Sequence, residues 1–424
     1  MHYVWQHRLF PARGLQTVDG RRLSVINPGL HNTDAGPDFF NATVTIDGQT
    51  WVGNVEIHVK ASDWFHHRHD SDRAYDSVIL HVVDIDDTPV KRPDGQIIPQ
   101  MRMPCSPNLN AHFHHLTDSS VFGLPCSDRF GELESIYLTD WLTSLGYERM
   151  LAKAERVGST AESLHGDWEA AAFITVARAM GFGVNNDPME QLARSIGYRI
   201  MHKCSRSQRS AEALLLGCAG FLDNIAVCRG TYPSALKEEY LFLRNKFSLD
   251  NVARPLWKMS RMRPGNSPQR RLATLAALMW REESLVSRLS EIDGVESARS
   301  IFTLPLTGYW ADHYNLTGEP CASAAGMSAA SADGLIINAV VPILHAYGTA
   351  VGRFELSDLA IELLEELKSE SNRIVKMFEA SGIKSRDAFT SQALIQLRRE
   401  YCEKQKCLYC RIGHRLLSAK ALRP

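Results

Sequence analysis

Phe39-Phe40-Asn41-Ala42-Thr43-Val44-Thr45-Ile46-Asp47-Gly48-Gln49-Thr50-Trp51-Val52-Gly53-Asn54-Val55-Glu56-Ile57-His58-Val59-Lys60 reads as two strands joined in a β-hairpin. Asp47-Gly48 is the turn signal: a tight turn that matches strand twist needs positive φ at its centre, which Asp and Gly accept at low cost. Side chains alternate across a strand with a period of two. In the second strand, Trp51, Gly53, Val55, Ile57 and Val59 therefore share one face, and Val52, Asn54, Glu56, His58 and Lys60 share the other. Asp38, after Gly36-Pro37, opens the first strand, and Glu56 lies inside the second. The pairing places acidic, imidazole and amine groups within reach of one another at the edge of the hairpin.

A Pro-Asp at a strand start followed by Glu-x-Lys on the next strand is the pattern of the PD-(D/E)XK nuclease superfamily, and this hairpin is similar to it. The resemblance implies a restriction-endonuclease-like sheet in which Asp38 and Glu56 hold one or two divalent cations, Mg or Mn. Such chemistry needs a hard cation to activate water and to stabilise charge on the phosphate, and carboxylates from adjacent strands supply hard oxygen ligands. His58 stands where the superfamily has Lys; Lys60 lies one step further along the same face and takes the Lys role in the alternative reading. The implied catalytic set is Asp38, Glu56, His58 and Lys60.

The flanking segments carry more polar groups than a plain sheet requires. Ser62-Asp63-Trp64-Phe65-His66-His67-Arg68-His69-Asp70 follows the second strand. Ser62 or Asp63 suits a helix cap there. His66, His67, His69 and Asp70 form a group of the type that binds zinc or iron, since imidazole suits such metals. His81 is a lone imidazole in the apolar run Val78-Ile79-Leu80-His81-Val82-Val83, where a core role is the commoner one.

The 424 residues exceed the usual size of a single core, so two or three domains are expected. Net charge is −1, with 44% hydrophobic and 22% charged residues. That is an ordinary globular balance, with no global basic excess to advertise nucleic-acid binding. The first ten residues lack the apolar core of a signal peptide. The most apolar stretch, residues 334–344, is short for a membrane span and contains Asn338 and Pro342, so it is expected as a buried helix. Nine cysteines, an odd number and dispersed apart from one C-terminal cluster, fit a reducing, cytoplasmic setting. No P-loop, dinucleotide-binding glycine motif, nucleophile elbow or HExxH helix is present, which argues against kinase, dehydrogenase, α/β-hydrolase and zincin chemistry.

The expected fold class is α+β and multi-domain. Residues 1–125 form a β-rich, mixed α/β domain with strands at 22–27, 39–46, 50–60, 77–85 and 97–103. A large all-α region follows, with one domain at 130–320 and a C-terminal region at 333–424. Helical periodicity marks 138–157, 168–180, 188–196, 211–222, 233–247, 269–281, 283–289, 334–347, 357–381 and 385–403. A second resemblance spans nearly the whole chain. Asn32-Thr33-Asp34-Ala35-Gly36-Pro37-Asp38-Phe39-Phe40-Asn41, Gly53-Asn54-Val55-Glu56-Ile57-His58, Ser62-Asp63-Trp64, Arg261-Met262-Arg263-Pro264 and Cys407-Leu408-Tyr409-Cys410-Arg411-Ile412-Gly413 look like a bacterial family known only as a domain of unknown function. That resemblance implies no activity.

Cys402, Cys407 and Cys410 are separated by four and two residues, and His414 follows after three more. Cys₃His is a zinc-binding set, and an iron–sulfur cluster takes four cysteines. The fourth ligand is His414 or one of the distant Cys321, Cys204 and Cys228. The cluster ends a long helix, which points to a structural staple. Arg261, Arg263, Arg270 and Arg271 surround Ser267-Pro268, a helix start, and a helix N-terminus flanked by arginines is an anion site. These four are the candidate substrate-phosphate contacts; the plainer reading pairs them with acids such as Glu282 or Glu283. Trp257, Tyr309, Trp310 and Tyr314 are candidate stacking partners for bases, or else core.

The leading expectation is a divalent-metal-dependent nuclease-like hydrolase acting on nucleic-acid phosphodiesters. The alternatives are a non-catalytic scaffold that binds nucleic acid or protein through a nuclease-like sheet, and a different metal hydrolase using the histidines near residue 66.

Overall fold

The structure is a computed structural model that describes all residues except 12–13, 33, 93–94, 104–123, 125, 227–230, 250–256, 260–261, 281–283, 323, 325 and 422–424. The chain is α+β and divides into two compact units. The first comprises Met1–Trp141 together with Arg399–Pro424; the second comprises Leu142–Arg398. The expected boundary near residue 125 thus falls at 141. The expected division between 320 and 333 is not a boundary between units, and the C-terminal tail belongs with the N-terminal sheet.

The first unit is built on strands β1 (Leu23–Asn27), β2 (Leu30–His31), β3 (Phe39–Ile46), β4 (Gln49–Lys60), β5 (Val78–Ile85) and β6 (Gln100–Arg102). Their order is β1-β3-β4-β5-β6, with β2 also paired to β3. β3 runs antiparallel to β1, β2 and β4, whereas β4, β5 and β6 are parallel. The β3–β4 hairpin closes as its sequence dictates: Asp47 and Gly48 take φ of 50° and 81°, the positive pair of a type I′ turn. A register shift lies between Phe39 and Ala42. Asn41 there has φ 53° and donates its N–H to Asn54 Oδ1 at 3.2 Å, so an asparagine absorbs the bulge.

β4 and β5 are parallel and cannot be joined by a tight turn. Residues 61–77 make the crossover. They contain a short helix at Asp63–His66 and a 3₁₀ turn at Arg73–Tyr75, the latter capped by Asp72, which accepts the Ala74 N–H. Trp64 and Tyr75 pin the crossover down in a small core with Ala61, Val78, Val83, Val90 and Ile98. β5 is buried at six successive residues, Val78 to Val83. It is therefore covered on both faces, and its apolar run does not alternate. The polar face of β4 is not exposed along its length: Glu56 and His58 are buried, whereas Lys60 on the same face is exposed. The crossover, which the alternation of β4 alone does not reveal, accounts for the difference.

The second unit is helical, around a core that includes Phe173, Leu214, Leu272, Phe302, Trp310 and Leu335. The expected helix over 357–381 is two helices, Phe354–Glu366 and Arg373–Ala380. Leu367 turns extended, and Asn372 caps the second helix by accepting the Val375 N–H, a better role for Asn than a helix interior. The expected helix over 385–403 starts at Ala388, capped by Asp387, and becomes a π-helix at Leu397–Cys402. The apolar stretch expected over 334–347 belongs to a longer run, Ala329–Val351, with a π segment at Ile336–Val340 just ahead of Pro342. By length and composition it could cross a bilayer; Leu335, Ile336, Ile337, Ala339, Val340 and Val341 are buried in the core. Helices at Tyr198–Cys204, Val295–Phe302 and Arg411–Ala421 were not anticipated.

The close approach of the crossover to β4 tolerates no side chain at Gly53. A Cβ there would meet Ser77 O at 2.7 Å and Ile79 Cγ2 at 2.4 Å. Gly53→Ala should lower the urea midpoint of the transition that reports the sheet, by the equivalent of about 1–3 kcal/mol. An unchanged midpoint would contradict this packing.

Candidate metal centre in the sheet unit

The site grows from β4. Glu56 and His58 are two residues apart on one strand face, 4% and 7% exposed. The crossover returns His67 and His69 to the same place. One ring nitrogen from each of His58, His67 and His69 lies within 4.8 Å of the other two. His58 Nε2 faces His67 Nδ1 at 3.1 Å, and the His58 and His69 rings stack with centroids 5.3 Å apart. Zinc bound by three imidazoles at about 2.1 Å needs nitrogens roughly 3.4 Å apart, so a small inward movement would complete such a set. Glu56 Oε1 sits 3.4 Å from His58 Nε2 and 3.3 Å from His69 Nε2.

Asp38 organises the carboxylate. Its backbone N–H donates to Glu56 Oε2 at 3.0 Å, which leaves Oε1 toward the histidines. Its own carboxylate accepts the Ile57 N–H at 2.9 Å and lies 3.0 Å from His2 Nε2. Both acids expected from the hairpin are thus drawn together, but by one holding the other rather than by two carboxylates presented alike.

Burial controls the charges. Desolvation, then the field of Asp38, pushes Glu56 up to about 8, against the pull of the Asp38 N–H. Desolvation, then the fields of His69 and His67, pushes His58 down to about 4. His69 is lowered by desolvation and by His67. His81 is lowered to about 3 by desolvation, then by His58 and His69. Burial raises Asp38, but the His2 ring and the Ile57 N–H outweigh it and leave Asp38 below the usual range. At neutral pH His58, His69 and His81 are therefore uncharged, the form in which imidazole binds metal. The Glu56–His contacts are those of a protonated carboxyl with neutral rings. A bound dication would remove that proton.

His81 supports the cluster from β5. It is 0% exposed, its Nε2 lies 2.9 Å from His58 Nδ1, and its own Nδ1 is buried with no hydrogen-bond partner. If His58 offers its Nε2 lone pair to a metal, its proton is on Nδ1 and goes to His81 Nε2, which puts the His81 proton on Nδ1. Ligation thus fixes both tautomers, the usual arrangement behind a metal-bound histidine. Tyr75 stacks on His69 at 3.7 Å, and Trp64 packs edge-on to His69 and His81. The places of His2, Trp64 and Tyr75 around the cluster have no local signature in the sequence, whereas His81 stands out there as a lone imidazole in an apolar run.

The other expected residues fare differently. Lys60 is exposed, and its backbone N–H bonds Asp63 Oδ2. His66 is exposed and its Nδ1 turns to Asp63 Oδ1 at 3.5 Å, apart from the trio; Asp70 is exposed as well. Arg270 and Arg271, expected as phosphate contacts, are 3% and 4% exposed. Arg270 donates to the carbonyls of Trp310, His313 and Ala324, and Arg271 to Asn266 Oδ1 while lying over the Phe182 ring. Guanidiniums buried this far, bonded to internal acceptors, do not make a substrate surface. Arg263 is exposed, and Arg261 lies outside the described residues. Trp310 is buried with its indole N–H on Glu212, Tyr309 stacks between Tyr232 and His313, Trp257 donates to Ala219 O, and Tyr314 underlies Arg270. These aromatics are internal packing. Cys402, Cys407 and Cys410 lie together near the C-terminus, while the His414 Nδ1 is 2.8 Å from Tyr3 Oη. Cys204 and Cys321 belong to the helical unit, and Cys228 lies outside the described residues.

Residues 1–373 match a family model described as a protein of unknown function, DUF2851, and the chain belongs to that family. Comparisons with curated proteins and with solved structures gave no match.

The geometry predicts a calorimetric zinc titration in which His67→Ala weakens one binding event at least tenfold, while His66→Ala, adjacent in the chain but outside the trio, leaves it unchanged. Equal effects of the two substitutions would contradict the assignment.

Proposed function

We propose that this DUF2851 chain is a metal-dependent hydrolase of phosphodiesters whose centre is the cluster of His58, His67, His69 and Glu56. The observation that carries the reading is the convergence of three imidazole nitrogens and one buried, strand-held carboxyl group. The donor set fits a borderline transition ion such as zinc better than Mg, whose preference is for oxygen. The hairpin pattern shared with the nuclease superfamily supports phosphodiesters as the substrate class, and its mixed sheet is compatible with that likeness.

A bound metal would supply Lewis acidity and lower the pKa of a water. The chain's own residues would do the rest. His58, His67 and His69 bind. Glu56 Oε1, at the rim of the imidazoles and ionised once a dication is bound, would accept the proton of the attacking water and return it to the leaving oxygen. Asp38 is a positioning residue that fixes Glu56 through its N–H. The crossover carries Arg68 and Arg73, both exposed, but also Asp63, Asp70, Asp72 and Asp76. With acids in excess there, the charge that attracts a phosphodiester has to come from the metal. The loss of Arg270 and Arg271 to the interior removes the main support for a basic nucleic-acid scaffold.

The test uses bis(p-nitrophenyl) phosphate, then single- and double-stranded DNA and RNA, with zinc, manganese or magnesium. Cleavage should be strongest with zinc or manganese, and Glu56→Gln should lower kcat about 10²–10⁴-fold with metal still bound. An unchanged rate in Glu56→Gln would overturn the mechanism, and cleavage by no metal form would overturn the activity. His81→Phe should cost about 10–100-fold in metal affinity. Because the substitution also removes the buried His58 Nδ1–His81 Nε2 hydrogen bond, it should lower the stability of the metal-free fold as well. An unchanged metal affinity would show that His81 is a packing residue only.

A further inference from the structure

The C-terminal cysteines acquire a partner from a distant part of the chain. Leu397–Cys402 ends in a helix-terminating reversal: Lys406 N–H bonds Tyr401 O at 2.8 Å, Gln405 N–H bonds Cys402 O at 3.2 Å, and Gln405 has φ 52°. This is the Schellman pattern, with a non-glycine residue at its left-handed position. It folds the chain so that Cys407 comes back toward Cys402. A second turn follows at once, with Cys410 N–H reaching Cys407 O at 3.3 Å. The helix Arg411–Ala421 starts there, and the Cys410 sulfur receives backbone N–H groups of Ile412 and Gly413. Gly413 lies so close to Cys407 that an added Cβ would be 2.1 Å from Cys407 O. The two turns and the helix start are therefore locked to one another.

Cys126 is brought to this knuckle by the segment it begins. Arg129, buried, donates from Nη2 to Leu416 O at 3.2 Å. Glu134 pairs with Arg415 at 2.9 Å, Asp140 pairs with Arg411 at 2.6 Å, and Tyr137 Oη donates to Arg411 O at 3.2 Å. Residues 129–140 are thus stitched along the helix that Cys410 initiates, and Cys126 stands at the start of the 3₁₀ turn Ser127–Glu132 that carries Arg129. Burial raises the Cys126 thiol first, and the fields of Cys402, Cys410 and Cys407 raise it further. His414, the other candidate fourth ligand, is engaged with Tyr3 and packs on His7 at 4.6 Å.

We propose that Cys126, Cys402, Cys407 and Cys410 form a tetrathiolate centre for a soft metal, either one zinc ion or an iron–sulfur cluster, that ties the C-terminal helix to the segment 126–140. Among the described residues no three of these sulfurs meet as closely as the histidine nitrogens do, so metal binding would draw them inward. Binding replaces thiol protons by metal and releases them to solvent, with no change in sulfur oxidation state. Spacings of four and two residues with a distant fourth cysteine suit either occupant. The centre is independent of the histidine site and of any hydrolase activity.

The test uses the full chain carrying His67→Ala, so that the histidine site does not contribute metal, purified without chelator and without oxygen. Zinc, iron and acid-labile sulfide are measured, and native thiols are titrated with Ellman's reagent before and after chelation. Zinc without sulfide supports the single ion; iron with sulfide and visible absorbance supports the cluster. In either case chelation should expose four further thiols. Adding Cys126→Ser or Cys407→Ser should abolish the metal, whereas adding His414→Ala should retain it. Should the serine variants fail to fold, thiol protection in the parent chain decides alone. No metal and no chelation-dependent thiols after reconstitution with zinc or with iron and sulfide would overturn the proposal. So would metal retained by Cys126→Ser but lost by His414→Ala.

Discussion

The sheet unit depends on the parallel pairing of β4 and β5. A chain leaving one parallel strand has to travel back along the sheet before it can enter the next. Here the return is made by residues 61–77, a short segment with little regular structure. Trp64 and Tyr75 hold it in a dry core against β5. The return path passes over Glu56 and His58, and the residues on it at that point are His67 and His69. The polar cluster is thus a consequence of topology. Without the crossover the same strand face would be solvated, and its groups would titrate as ordinary surface carboxylates and imidazoles.

Enclosure changes what these groups are. Glu56 is driven toward its protonated form and His58, His69 and His81 toward theirs without charge, all chiefly by loss of water. A carboxyl group and several imidazoles crowded together, with the His81 Nδ1 proton site unpartnered, make an unfavourable interior unless something of opposite character completes it. Under the proposed function His58, His67 and His69 would hold a dication through their ring lone pairs, with Glu56 ionised beside it and the His58 and His81 tautomers fixed. Asp38 is already spent on positioning, through its N–H to Glu56 and its carboxylate to Ile57 and His2.

Much of this architecture is legible in the sequence where the signal is local. Asp47-Gly48 specified its turn, the alternation in Trp51–Lys60 specified which residues share the Glu56–His58 face, and the helical periods after residue 130 located most helices of the second unit. Non-local facts were hidden. His66-His67-Arg68-His69 displays its ligands in plain view, but only the crossover selects His67 and His69 and rejects His66. Cys126 has no neighbouring motif, and its relation to Cys407 and Cys410 exists only through the contacts of Arg129, Glu134 and Asp140. Arg270 and Arg271 resemble an anion site because a helix start flanked by arginines is one on a surface; both are buried, Arg270 on the carbonyls of Trp310, His313 and Ala324 and Arg271 on Asn266 Oδ1. The break at 367–372 was masked by a helical period that runs straight through it, although Asn372 marks the restart.

The most direct measurement of the central claim is an anomalous difference map from crystals grown with zinc and recorded on both sides of the zinc absorption edge. A peak enclosed by the ring nitrogens of His58, His67 and His69, with Glu56 beside it, is the predicted result. Well-ordered histidines with no peak among them at saturating zinc would contradict the account.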